Sequence, residues 1–299
     1  MRTASILAQS HAHLQQGVRA AWSSFWTESG ESRCAAGDRG IWHSLSRHWS
    51  AFAHSLAGGT RVLDLGCGAG AVARLLVERP DLRITGVDFA KVPLIFDQQI
   101  ELLAETAMES LPFTDGSFGA AVSQFGFEYA QPVLAAREMA RVLAPGAPVS
   151  LLVHHADSPI VACNRARLEV LSGLLSPAMR AAFCSGNSLA FQARMSELAL
   201  RHPQDGLMVE LHRSMPSRLI RSEPERQAIW KAVEDALQPE LCLAEALDKS
   251  CVAPSDLYEW IEPLRAVFQL APVCWLPDPD GAAIAWSIRG MRRQPGPVS

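Results

Sequence analysis

The sequence lacks any run of about 18 apolar residues, so no membrane-spanning helix is expected. Its first 16 residues, MRTASILAQSHAHLQQ, have no apolar centre of signal-peptide length, which makes the cytoplasm the expected compartment. A basic excess is also missing. The net charge is −4, so nothing in the overall field points to nucleic acid. There is no C-x-x-C. The cysteines stand singly at 34, 67, 163, 184, 242, 251 and 274, an odd number that suggests neither a disulfide framework nor a zinc site, and no metal is expected. No internal repeat is visible. What remains is a chain that is 48% apolar over 299 residues, long enough for one elaborated domain or two.

The stretch that organises this chain is residues 61–88, RVLDLGCGAGAVARLLVERPDLRITGVD. Val62, Leu63 and Leu65 read as a short strand, 71–79 as a helix with Val72, Leu75 and Leu76 on one face, and 82–87 as a second strand ending at Asp88. Between the first strand and the helix stand Gly66, Gly68 and Gly70, which let the backbone turn sharply and come close to a ligand. The helix start behind them favours a carboxylate or phosphate. An acid about 20 residues after such a turn suits ribose hydroxyls.

The spacing Asp64-x-Gly66-x-Gly68-x-Gly70 differs from the G-x-G-x-x-G of dinucleotide binders. With Asp88 it resembles the first motif and ribose-binding acid of the class I S-adenosylmethionine-dependent methyltransferases. The resemblance implies an α/β, Rossmann-like fold with a seven-stranded sheet closed by an antiparallel hairpin, and S-adenosylmethionine as cofactor. Asp64, Gly66, Cys67, Gly68 and Gly70 would meet its methionine end, and Asp88 with Phe89 its ribose.

After a short crossover (90–99) and a third strand (100–103), residues 106–118 resemble the D-A-E-x-L-P-F…D-x-S-F string of the ubiquinone- and menaquinone-biosynthesis type of methyltransferase. In that string the leading Asp takes the adenine amino group; here the position is Ala107, leaving Met108 to pack on adenine and Glu109 as a substitute acid. Asp115 and Ser117 read as turn formers. A fourth strand (120–123) leads into Gln124 and Phe125, expected on the cofactor wall, and Glu128 and Tyr129, within reach of a substrate. Glu128 reads equally as the favourable charge that opens the next helix. No N/D-P-P-Y/F follows this strand, which argues against DNA bases or protein glutamine as acceptors in such a family.

Residues 132–143 read as a helix with Pro at its first turn. A fifth strand (148–153) ends at His154-His155, the candidate general bases together with Glu128. Alternation along a strand sends the two imidazoles to opposite sides. On the N-terminal side, 41–56 is an amphipathic helix with Trp42, Leu45, Trp49, Phe52 and Leu56 at spacings of three or four. Trp22, Phe25 and Trp26, beside a glycine-containing loop over 28–40, read either as a lid lining a substrate site or as core.

The expected organisation is a lid segment (1–40), the cofactor core (41–155), an inserted helical layer (156–250), a closing helix and hairpin (251–292) and a loose tail (293–299). The insertion contains a capping-box helix from Ser222 to about Leu237. It could cover the substrate, set specificity or make a homodimer contact. A last helix is expected over 255–265, then strands over 266–276 and 282–290 joined by Pro277-Asp-Pro-Asp-Gly281. The function expected is methyl transfer to a small-molecule acceptor at oxygen, nitrogen or carbon, without metal. The alternative is a methyltransferase-like partner subunit with weak cofactor binding, suggested by Ala107 and the large insertion.

Overall fold

The computed structural model describes residues 17–27, 39–93, 98–215 and 218–294. Residues 28–38 of the loop expected over 28–40, the centre of the crossover (94–97), the first 16 residues, 216–217 and the last five lie outside the described residues, and 39–40 already belong to a helix. The chain divides into two compact units. One is built from the described parts of Trp22–Val161 and Ser250–Ser299, the other from Ala162–Lys249 with 17–21.

The first unit is a three-layer α/β/α arrangement around one sheet. Strands β1 (Arg61–Leu65), β2 (Arg83–Val87), β3 (Ile100–Leu103), β4 (Ala120–Gln124) and β5 (Pro148–His154) are parallel, and β6 (Phe268–Leu270), β7 (Cys274–Pro277) and β8 (Ala283–Arg292) are antiparallel additions. The order is β3-β2-β1-β4-β5-β8-β6, with β7 also on β8. β6 and β7 share the seventh position, because the apolar run over 266–276 breaks around Pro272, which has no N–H for a ladder. Strand order reverses between β1 and β4, so a crevice opens at their carboxyl ends.

Side chains alternate across the sheet. Leu63, Leu65, Ala121, Val149 and Leu151 pack on the face covered by α4 (Pro132–Val142) and α11 (Glu262–Val267). Val62, Ile84, Val122 and Leu152 pack on the face covered by α2 (Arg39–Ser55) and α3 (Ala71–Leu76). In α2 the buried stripe is Ile41, Leu45, Trp49, Phe52 and Ala53, whereas Trp42 is exposed. Ile41 and Leu45 are one turn apart and set the stripe; Trp42 falls about 100° round from Ile41. Two polar contacts tie α2 to the sheet: Trp49 Nε1 donates to Gln124 Oε1 at 2.6 Å, and His48 Nε2 meets Ser150 Oγ at 3.0 Å. The helix expected over 255–265 is two pieces, α10 (Leu257–Trp260) and α11, since Pro263 cannot continue a helical ladder but suits a first turn.

The helical unit has its own core, including Phe183, Phe191, Met195, Met208 and Trp230. It is made by α5 (Pro159–Leu174), α6 (Pro177–Cys184), α7 (Ser188–Arg201), α8 (Gly206–Ser214) and α9 (Glu223–Ser250). Ser176, Asn187 and Asp205 each accept a backbone N–H at a helix start. Arg167 clamps two of these helices, meeting Asp205 on one side and Glu240 on the other. α9 runs on through Pro239 instead of stopping near Leu237. The proline removes one backbone bond, but the good helix formers on both sides keep the helix going. Among the described residues, no helix is long and apolar enough to cross a membrane.

Trp230 is 2% exposed, lies 5.4 Å from Phe183 and donates to Glu234. Trp230→Ala is expected to cost about 3–5 kcal/mol, read as a lower urea midpoint for loss of far-ultraviolet circular dichroism.

Candidate active site

The glycine turn leaves β1 with positive φ at Gly66, Gly68 and Gly70. The Gly66 and Cys67 amides both donate to Val87 O, and Gly70 N–H closes back on Cys67 O. Asp88, at the end of β2, accepts Gly68 N–H at 2.8 Å on Oδ2 and Ala90 N–H at 2.9 Å on Oδ1. Burial pushes its carboxyl up, and these two amides pull it back. The acid thus fastens the turn to the loop after β2, beside the half-exposed Phe89.

Asp64 is 1% exposed, on the α3 side of β1. Neither carboxylate oxygen has a hydrogen-bond partner of normal geometry among the described residues. Burial first, then the charge of Asp88, pushes its carboxyl up to about 7, opposed only by the Ala73 backbone amide. A buried carboxyl without donors is costly unless a cation or donor reaches it. Cys67 is buried next to it, its thiol pushed up by burial and by both acids, so it is no thiolate nucleophile.

Around the turn, Met108 brings its methyl end towards Gly66, where a side chain at 66 would meet it. Ala107 is exposed. Glu109 Oε1 accepts Gln131 N–H at 2.8 Å and so caps the approach to α4. Gln124 is likewise engaged, with Trp49. The last turn of α1 (17–27) lies on the rim. Ser23 Oγ accepts Lys91 N–H at 3.0 Å, Trp22 meets Tyr129 edge to face at 5.5 Å, and a side chain at Gly68 would run into the Trp26 ring.

The second group lies at the ends of β4 and β5. The 3-10 turn Phe127–Tyr129 carries Glu128, whose side chain is fully buried. Its Oε1 accepts the His154 backbone amide at 3.0 Å and meets His154 Nδ1 at 2.7 Å. A carboxylate there selects the tautomer with the proton on Nδ1, leaving the lone pair on Nε2. Glu128 Oε2 has no partner among the described residues. The Phe125 ring stacks on the imidazole, centroids 4.1 Å apart and 19° from parallel. Phe125 has φ +56°, a left-handed conformation that costs a bulky residue about 1–3 kcal/mol. His155 turns the other way, packs on Trp286 at 4.3 Å and accepts Asp157 N–H on Nδ1. Burial lowers its pKa from the ordinary histidine value, opposed by the charge of Asp157.

Two residues that sequence reasoning passed over join the groups. Ser123 Oγ donates to Leu65 O at 2.6 Å and accepts Phe127 N–H at 3.1 Å, tying the ends of β1 and β4. Gly126 presses on Gly66; a Cβ on 126 would lie 3.0 Å from both Gly66 Cα and Leu65 O. The signal for Gly126 was a glycine two places beyond the end of β4, in the loop at the strand's carboxyl end, where close backbone approach is common. Ser123 left no sequence signal, being one small residue in a strand.

Residues 63–151 match the model of a methyltransferase domain. A 2-phytyl-1,4-naphtoquinone methyltransferase of Thermosynechococcus vestitus is 32% identical over 122 residues, 38% of this chain and 52% of that protein. The chloroplastic 2-phytyl-1,4-beta-naphthoquinone methyltransferase of Arabidopsis thaliana is 33% identical over 131 residues, 39% of this chain and 48% of that protein. The chain thus spans about half the length of the curated relatives it matches. In fold it is similar to the 1,6-didemethyltoxoflavin-N1-methyltransferase of Burkholderia thailandensis, with TM-score 0.50 at 12% identity over 96% of this chain and 90% of that one.

Since Asp64 holds its proton in the folded state to about 7 but near 4 when unfolded, its contribution to stability falls as pH rises between those values. Asp64→Asn is expected to raise the melting temperature of the ligand-free protein at pH 8 and to give no gain at pH 4, checked by paired thermal melts. With the glycine turn, its acid at 88 and the strand order around it, the matched stretch 63–151 is a methyltransferase domain of the class I S-adenosylmethionine-dependent type.

Proposed function

We propose that the protein transfers a methyl group from S-adenosylmethionine to a small-molecule acceptor, and that His154, held by Glu128, takes the acceptor's proton. The observation that carries the cofactor reading is the buried Asp64 carboxyl, without a hydrogen-bond partner of normal geometry among the described residues, beside a glycine turn clamped by Asp88. An ammonium group would supply the donors that Asp64 lacks. Gly66, Gly68 and Gly70 would admit the methionine end, Asp88 the ribose and Met108 the adenine. Bound there, S-adenosylmethionine supplies a sulfonium-activated methyl group, so the protein's own work is positioning, water exclusion and proton removal.

The aromatic rings of Trp22, Trp26 and Tyr129 support a site for an organic acceptor over the rim, and Trp26 is suited to a cation–π contact with a sulfonium. Nε2 of His154, which has no hydrogen-bond partner among the described residues, takes the proton of a hydroxyl or amine; Glu128 stabilises the imidazolium that results. A small-molecule acceptor is favoured by the net charge of −4 and by the relatives named as quinone methyltransferases. The rival, a weakly binding partner subunit, is favoured by the exposed Ala107 and by Glu109 being engaged elsewhere.

Calorimetric titration with S-adenosylhomocysteine decides between them. Micromolar binding that is lost in Asp88→Ala is the expected outcome; no binding to the wild-type chain would favour the partner subunit. In an acceptor screen, His154→Ala and Glu128→Gln are expected to keep S-adenosylhomocysteine binding and lose turnover. Full turnover in His154→Ala would remove the histidine from the mechanism.

A further inference from the structure

We infer that Phe125 is a positioning residue for His154: its ring sets the plane of the imidazole, while Glu128 holds the Nδ1 edge and Nε2 is left to face an acceptor. This inference rests on the reading of His154 as the proton acceptor.

The backbone is the first observation. The left-handed φ of +56° falls on an aromatic residue, although a glycine stands one place later in the chain. Glycine would adopt that conformation at 125 without strain, but the glycine is needed at 126, where the contact with Gly66 leaves no room for a side chain. The strained residue has little freedom to relax, because its N–H donates to Leu152 O at 2.8 Å. A glycine at 125 would suit the chain better and carry no ring, so the ring is what the strain secures.

The second observation is where that ring goes. It lies on the face of His154 at 4.1 Å and 19°, while Glu128 Oε1 meets the imidazole edge at 2.7 Å. Edge and face together define a plane and a rotation, which one hydrogen bond cannot do. The third is exposure: His154 and Glu128 are buried, whereas Phe125 is half-buried. The ring thus covers one face of the imidazole and is the more exposed partner, so its removal is expected to open the Nδ1–Oε1 bond to water.

Core packing alone predicts something different. Removing a packing residue lowers stability, and the imidazole loosens only as the whole protein does. The test uses the full chain with 15N-labelled histidine. His154 signals are assigned by their loss in His154→Ala. Tautomer and solvent exchange of the Nδ1 proton are then followed by NMR beside melting temperature in Phe125→Gly, Phe125→Leu and Phe125→Tyr.

Phe125→Gly is expected to melt close to wild type, since relief of strain offsets lost burial, while Nδ1 exchange quickens at least about tenfold. Phe125→Leu keeps the bulk without a flat face and is expected to quicken exchange too. Phe125→Tyr is expected to restore the wild-type rate. Unchanged exchange in the Gly and Leu variants would overturn the inference. So would exchange that quickens only in step with a falling melting temperature, or a wild-type imidazole with no protected Nδ1 proton. The readout does not depend on the cofactor. Failure to bind S-adenosylhomocysteine would strike the proposed function and leave the NMR result standing; unchanged exchange in a chain that binds it would strike only the role of Phe125.

Discussion

The bond from Gly68 N–H to the Asp88 carboxylate joins the end of one central strand to the end of the next, and the rest of the site is laid out around it. A carboxylate this buried needs donors, and it finds two backbone amides, on Gly68 and Ala90. Those amides belong to the loops after β1 and β2, the first of which also borders the crevice between β1 and β4 where strand order reverses. A charge that is expensive to bury becomes the means of fixing two loops to each other. Nearby Asp64 has no such donors and is pushed towards its neutral form in part by the charge of Asp88. Burial raises both carboxyls, opposed by two amides at Asp88 and by the Ala73 amide alone at Asp64.

The same economy of small residues governs the approach of β4 to β1. Gly126 against Gly66 brings two backbones into contact, and Ser123 spans the remaining gap with one hydroxyl used as both donor and acceptor. That contact sets where the chain leaves β4, and with it where Phe125 and Glu128 stand relative to His154 on β5. The cofactor side and the proton-transfer side of the proposed site are therefore coupled through packed backbone, not through a flexible loop.

Aromatic residues from the last turn of α1 complete the rim. Trp26 lies over Gly68, Trp22 stacks beside it and meets Tyr129, and Ser23 reaches the loop after β2. These contacts span three separate loops of the sheet, so the segment is held by the same crevice it covers.

What the sequence determined by itself was local. The glycine spacing at 66, 68 and 70 and the acid at 88 sit within one strand–turn–helix–strand unit, and the short apolar runs on either side mark the buried strands. Helix starts at Pro132, Ser176 and Ser222 were legible for the same reason, since capping chemistry lies within a few residues. Tertiary structure decided the contacts between residues distant in sequence. It paired Glu109 with Gln131 and Gln124 with Trp49, contacts that no local pattern announces. It also separated two adjacent histidines, one onto Glu128 and Phe125 and the other onto Trp286. Local pattern records only what a residue's near neighbours require. Which of two plausible partners a side chain meets depends on how the strand ends converge, and that is settled by packing across the whole sheet.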